Sequence, residues 1–96
     1  MFVLVAKIKL FLNDSPQNLK QKRSIVNSIK QKIINKFKIS IAEVDCNDKL
    51  QTATIGIAMV SNNQKILDQT INKIQDFIQQ VKNISIIEIS TNYYTE

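Results

Sequence analysis

An apolar residue at every second position of Phe2–Leu12 is the feature that most limits how this chain can fold. Every second residue of the segment is apolar: Phe2, Leu4, Ala6, Ile8, Leu10 and Leu12. The residues between them are Val3, Val5, Lys7, Lys9 and Phe11. Since successive side chains of a β-strand point to opposite faces, the alternation predicts a long strand with one fully apolar face. The segment also carries two lysines and is too short to cross a bilayer, so we interpret it as neither an anchor nor a signal sequence.

Two later segments repeat apolar residues at the spacing of an α-helix. The first follows turn-forming residues 13–16 and is predicted to begin near Asn18, because Asn18 and Gln21 have the spacing of a capping box. Its apolar stripe comprises Leu19, Val26, Ile29, Ile33 and Phe37. The second helix is predicted to begin at Ser61–Gln64, which repeats the capping-box spacing. Its stripe comprises Ile66, Leu67, Ile71, Ile74, Phe77, Ile78 and Val81.

Three further strands are predicted over Ile39–Asp45, Gln51–Ser61 and Ile84–Ser90, the first two joined as a hairpin. The element order is therefore βαββαβ. Because crossover connections are right-handed, this order predicts a ferredoxin-like α+β sandwich, with both helices on one face of a four-stranded antiparallel or mixed sheet. Residues 1–96 fit a single domain, and Asn92–Glu96 are expected to fray.

The second face of such a sheet is left uncovered by the helices. On the first strand this open face would carry Val3, Val5 and Phe11 beside the two lysines, and on the last strand Ile84 and Ile86. An apolar patch of this kind on a small domain is usually covered by another surface, and self-association is the simplest cover. These five residues are therefore a candidate dimer face. In a two-fold dimer, the two lysines of the first strand could meet Glu43 or Glu88.

The chain has a formal net charge of +5, and the excess lies in its first half. Between residues 18 and 38 there are seven Lys and Arg residues and no Asp or Glu. Lys20, Lys22 and Arg23 stand at the predicted start of the first helix, where unpaired N–H groups already favour an anion. They are the candidate residues for binding nucleic acid or another anion, although a solvated basic helix start would have the same composition.

Several classes of site are excluded because the residue types that they need do not occur in the chain or occur only once. The chain has no histidine and only Cys46, so it has neither an internal disulfide nor a Cys/His zinc site. Gly56 is the only glycine, which excludes a glycine-rich phosphate loop; we expect close packing of a helix over it. Glu43 and Asp45 are two residues apart on a predicted strand and should share a face, where paired carboxylates can do acid/base chemistry or bind a cation. No nucleophile accompanies them, however. Charge on an edge strand, which prevents sheet-to-sheet aggregation, or an ion pair with Lys7 or Lys9 would also explain the two acidic residues. We expect no metal, no cofactor, no membrane contact and no catalytic activity.

Three sequence blocks carry a resemblance to a known family. They are Asn18–Ile25, Lys36–Asp45 and Ala53–Asn62, and in this order and spacing they are similar to the motifs of the bacterial YlxP-like family, a domain of unknown function. The resemblance runs from about Phe2 to Glu88. It implies a ferredoxin-like fold and a small cytoplasmic protein whose gene often lies among ribosome-maturation and translation genes.

Two departures from the family pattern bear on function. The family often has Trp where Leu50 stands and His where Cys46 stands, and the missing His argues against metal or acid/base chemistry at that position.

The basic helix start and the family resemblance together lead to the first hypothesis for function, a non-enzymatic RNA-binding or ribosome-associated module that acts through the basic helix start. The alternative is a homodimeric structural or regulatory domain. The predicted third strand has no aromatic residue, so RNA contact is expected through the helix rather than by base stacking on the sheet.

Overall fold

The computed structural model describes all residues 1–96 and contains the six predicted elements in the predicted order. Their bounds are β1 (Phe2–Leu12), α1 (Leu19–Phe37), β2 (Ser40–Asp45), β3 (Thr52–Ser61), α2 (Gln64–Gln79) and β4 (Ile84–Thr95). The strands form one sheet in the order β2-β3-β1-β4, and every neighbouring pair is antiparallel. The ferredoxin-like prediction is thereby confirmed. Neither helix is long and apolar enough to cross a membrane.

The core lies between the sheet and the two helices. The predicted apolar face of β1 is buried, since Leu4, Ile8 and Leu10 are each 0% exposed. Each helix buries its apolar stripe against this face: Val26, Ile29 and Ile33 from α1, and Leu67, Ile71, Ile74 and Ile78 from α2. Burial of this kind, at about 25 cal/mol per Å² of apolar surface, is the main stabilising term of the fold.

Both helices are capped by asparagine side chains. At α1, Asn18 Oδ1 accepts the backbone N–H of Gln21 at 2.8 Å, as predicted. The Gln21 side chain, however, accepts the N–H of Gln17 (2.7 Å) instead of that of Asn18. At α2 the predicted cap is wrong, because the N-cap is Asn63, whose Oδ1 accepts from the N–H of Lys65, while Ser61 Oγ only accepts from Asn63.

Strand β4 is longer than the sequence pattern predicts. The prediction that the strand ends at Ser90 and that residues 92–96 fray is wrong, because Asn92 to Thr95 pair with Val5 to Phe2 of β1. The pairing continues to the chain ends, where the N–H of Glu96 donates to the carbonyl of Met1 at 2.9 Å. The polar residues at the end of β4 can form a strand because β1 provides pairing partners along their whole length.

A β-bulge in β4 reverses the predicted orientation of its first residues. The register shifts between Lys9 and Leu10, so that Ile84 pairs with Leu12 and Ile86 with Leu10. Both isoleucines therefore lie on the helix side of the sheet, where Ile84 is buried and Ile86 packs against the core. Their assignment to the open face is wrong.

The residue that packs closely against Gly56 lies on the opposite face of the sheet from the helix that was predicted to do so. A Cβ built on Gly56 would lie only 2.8 Å from Val44 Cγ1, and the three atoms nearest to it all belong to the Val44 side chain. Gly56 pairs with Lys7 of β1, so the space it leaves is on the open face, and Val44 fills it from β2. Close approach does explain the glycine, but the approaching group is a strand side chain rather than a helix.

Candidate functional site

The three cations predicted to bind an anion at the start of α1 have different environments. Lys20 and Arg23 are exposed to solvent. Lys22 is 0% exposed and is one of the two buried polar residues of the fold. A lysine with no solvent-accessible surface cannot meet a phosphate, so the assignment of Lys22 to an anion-binding site is wrong.

Lys22 joins the start of α1 to the end of β2. Its Nζ lies 3.0 Å from Glu43 Oε2 and donates to the carbonyl oxygen of Cys46 at 2.5 Å. That carbonyl also accepts the N–H of Lys49 at 3.1 Å. Cys46 itself has a left-handed backbone (φ 63°), so its carbonyl is turned toward these donors, and its Sγ is 3.7 Å from Thr54 Oγ1. The group is a structural link between helix and hairpin.

Glu43 and Asp45 do not form the carboxylate pair that their spacing predicts. The β2 register shifts between them, because Glu43 pairs with Ile55 and Asp45 with Thr54. Glu43 consequently points to the helix side, where its side chain is 14% exposed, and Asp45 lies on the open face. The structure thus separates the two carboxylates that acid/base chemistry or a shared cation would need, and it contains no cluster of three or more potential metal ligands.

The remaining cations of residues 18–38 form what we call the α1 basic surface. It comprises Lys20, Arg23, Lys30, Lys32, Lys36 and Lys38, of which Lys30 is half-buried and the others are exposed. No carboxylate lies within 4.0 Å of any of them, since the single ion pair of the structure is Lys22–Glu43. Lys36 Nζ is 5.0 Å from the centre of the Phe77 ring. Its charge is thereby held near the contact between the two helices.

The open face of the sheet divides into two halves. One half, the apolar half, carries exposed or half-buried apolar side chains from all four strands: Val3, Val5, Val44, Ala58, Val60 and Tyr94. The other, the charged half, surrounds a polar cavity of about 220 Å³ lined by Lys7, Lys9, Asp45, Thr54, Glu88 and Ser90. Of the predicted dimer face, Val3 and Val5 lie in the apolar half, and Phe11 lies beyond the charged half at the far end of β1.

Comparison with known proteins identifies the family of this chain. Residues 3–91 match the sequence profile described as "Protein of unknown function (DUF503)". The chain belongs to the DUF503 family. The uncharacterized protein YlxP of Bacillus subtilis (strain 168) is 31% identical to this DUF503 chain over 67 residues, which are 70% of this chain and 73% of YlxP. The resemblance to the YlxP-like family is therefore confirmed.

Two solved structures align with nearly the whole DUF503 chain at low similarity. One is LarC2, the C-terminal domain of a cyclometallase involved in the synthesis of the NPN cofactor of lactate racemase, with a TM-score of 0.46 and 8% identity. It is matched over 98% of the DUF503 chain, which spans only 55% of the LarC2 chain. The other is a dimeric ferredoxin-like protein from an uncultured marine organism, with a TM-score of 0.39, 11% identity, and coverage of 98% of this chain and 94% of that one.

The spacing of residues along α1 indicates that Lys22 is buried, although its prediction as an anion-binding residue rested on its charge and its place at the helix start. Lys22, Val26, Ile29 and Ile33 follow each other at intervals of four, three and four residues, so Lys22 lies on the apolar stripe of α1, in the gap between Leu19 and Val26. Tyr94, by contrast, was outside every predicted element. Only the pairing of β4 with the start of β1 places Tyr94 beside Val3 on the open face.

Proposed function

We propose that this protein is a non-enzymatic, ribosome-associated RNA-binding module that contacts RNA phosphates through the α1 basic surface. One observation carries the proposal: six cations, five of them exposed, lie on or next to a single helix, with no acidic residue between residues 18 and 38 and no carboxylate within 4.0 Å. The family resemblance, which implies a gene often placed among translation genes, supports RNA over other polyanions.

The second helix shows that this charge distribution is specific to α1. Helix α2 has two lysines, Lys65 and Lys73, and two aspartates, Asp68 and Asp76, so its formal charge is zero. Each phosphate contact made by a lysine or arginine releases condensed counterions, and binding of this kind weakens steeply as salt is raised. Strand β3 presents no aromatic ring for base stacking. We therefore expect binding that depends strongly on salt and weakly on sequence.

The test compares two double variants that each remove two exposed cations. Lys20→Ala with Arg23→Ala alters the α1 basic surface, and Lys65→Ala with Lys73→Ala is the matched control on α2. Affinity for a ribosomal RNA fragment is measured by fluorescence anisotropy over a range of salt concentrations. The α1 variant should reduce the slope of log K against log salt by about 1.4, at roughly 0.7 per phosphate contact to single-stranded RNA. The α2 variant should leave the slope nearly unchanged.

Two results would count against RNA binding by α1. The first is the absence of measurable binding by the unaltered protein at low salt. The second is an equal loss of affinity in both double variants, because this would mean that RNA responds only to net charge. Circular dichroism on each variant establishes that the helices are intact.

A further inference from the structure

We propose that the open sheet face is the contact surface between two copies of this chain. The side chains of its apolar half are open to solvent: Val60 is 65% exposed, Tyr94 58%, Val44 51% and Val5 37%. These side chains are neighbours rather than scattered, because Val3 pairs with Val60 on one side and with Tyr94 on the other. Contiguous exposed apolar surface of this kind marks an interaction site.

The charged half of the open face points to a second copy as the occupant. Its two lysines, Lys7 and Lys9, lie on the central strand β1, with Asp45 on the β2 side and Glu88 on the β4 side. The face is therefore neutral on a chain of net charge +5. A second copy brings the same balanced charges, so that lysines of one copy can meet carboxylates of the other. A polyanion would instead meet two carboxylates and an apolar surface.

The size of the face also suits a dimer. Four strands at about 4.8 Å spacing and about ten residues of length cover roughly 600 Å² on each copy. A stable interface of standard size buries about 800 Å² per partner, of which the rim is polar. Two such sheets pack about 10 Å apart, which produces a four-layer particle with its helices on the outside. Tyr94 is the expected anchor, since tyrosine is enriched among the residues that contribute most to binding.

This assembly does not require RNA and leaves the α1 basic surface free. Both helices lie on the core side of their own sheet, so two copies packed through their open faces place the two α1 helices on opposite outer surfaces. Failure of the dimer would therefore leave the RNA proposal standing, and failure of RNA binding would leave the dimer standing.

The test is sedimentation velocity of the full chain without RNA, from low to high micromolar concentration. The unaltered protein should be a dimer. Val60→Asp and Val5→Asp should each weaken association at least about tenfold, because an aspartate would be desolvated in the interface. Ile66→Asp is the matched control: Ile66 is 48% exposed but lies on α2, so this variant should remain dimeric.

Three results would overturn the proposal. They are a monomeric unaltered protein at high micromolar concentration, a folded Val60→Asp variant that dimerises normally, and dissociation of Ile66→Asp to the same extent as Val60→Asp. Val60 projects far into solvent, so Val60→Asp should fold even if Val5→Asp does not. Thermal unfolding of the variants separates loss of assembly from loss of fold.

Discussion

At the scale of single residues, the Lys22–Glu43 pair shows that a basic sequence need not be a binding surface. The ammonium and the carboxylate are 3.0 Å apart, and the lysine has no exposed surface. Removing two charges from water costs several kcal/mol, which their attraction offsets only when the geometry is good. Such a pair adds little net stability, but removing one partner alone is strongly destabilising because the other charge is left buried and unpaired.

Lys22→Ala should lower the free energy of unfolding by about 3 kcal/mol, because it leaves the Glu43 carboxylate without its cation and the Cys46 carbonyl without one of its donors. Lys20→Ala, at an exposed position two residues away, should change it by less than about 0.5 kcal/mol. Urea unfolding followed by circular dichroism measures both. Equal stability of the two variants would contradict the structural role of Lys22.

The double variant Lys22→Met with Glu43→Leu should recover most of this loss. Both replacements keep the side-chain volume while removing the two charges together, and buried ion pairs replaced in this way are often neutral in stability. If the double variant were no more stable than Lys22→Ala, the loss would come mainly from the hydrogen bond to the Cys46 carbonyl, which both variants lack, rather than from the unpaired Glu43 carboxylate.

At the scale of elements, the sequence predicts the number, order and type of helices and strands, because each buries one periodic apolar face. Its errors in assigning strand side chains to a face of the sheet have one physical cause in common. Alternation assigns a side chain to a face only while the strand is regular, and the bulges near Val44 and Ile87 each insert an extra residue. The bulge in β2 separates Glu43 from Asp45, and the bulge in β4 carries Ile84 and Ile86 to the core side. A bulge depends on the partner strand, which periodicity along one segment does not contain.

The end of β4 is tied to α2 by a single polar contact. Tyr93 lies on the helix side of the sheet, and its phenol donates a hydrogen bond to Asp68 Oδ1. This hydrogen bond, with smaller contributions from desolvation and from the charge of Asp68, raises the pKa of Tyr93 above its ordinary value of 10.0. Because the folded chain holds the proton more tightly than the unfolded chain, the stabilisation is fully present below about pH 10 and is lost as pH rises through the folded pKa.

Asp68→Asn should therefore lower the pKa of Tyr93, since it removes the anionic acceptor, and should flatten the fall in stability above pH 10. Ultraviolet difference spectroscopy follows the ionisation of the phenol, and thermal unfolding follows the stability. Tyr93→Phe serves as the control that identifies which of the two tyrosines gives the signal. An unchanged ionisation midpoint in Asp68→Asn would mean that the contact does not persist in solution.

At the scale of the whole molecule, the two faces carry different chemistry. The helix side presents the α1 basic surface, and the opposite side presents the neutral, partly apolar sheet face. If both proposals hold, the dimer carries two RNA-binding surfaces that point in opposite directions. A long RNA can then engage both, whereas a short RNA can engage only one.

Val60→Asp should consequently weaken binding to a long RNA at least about tenfold more than binding to a short RNA, because the loss of the dimer removes the intramolecular second contact. The short RNA controls for the added negative charge, which acts on both ligands. Titrations by anisotropy with RNAs of two lengths provide the comparison. Equal losses for both lengths would show that the dimer does not contribute to RNA affinity.

The central position of β1 has a consequence for how the chain acquires its structure. This strand is synthesised before all the others, yet its two partners are β3, about fifty residues later, and β4, later still. Only the β2–β3 hairpin is local, so most of the sheet must wait for the closure of long loops, which slows folding. During translation the apolar face of β1 has no strand on either side until β3 has been made. The earliest part of the sheet is thus the last to be completed, and in that interval it is the segment most in need of protection from aggregation.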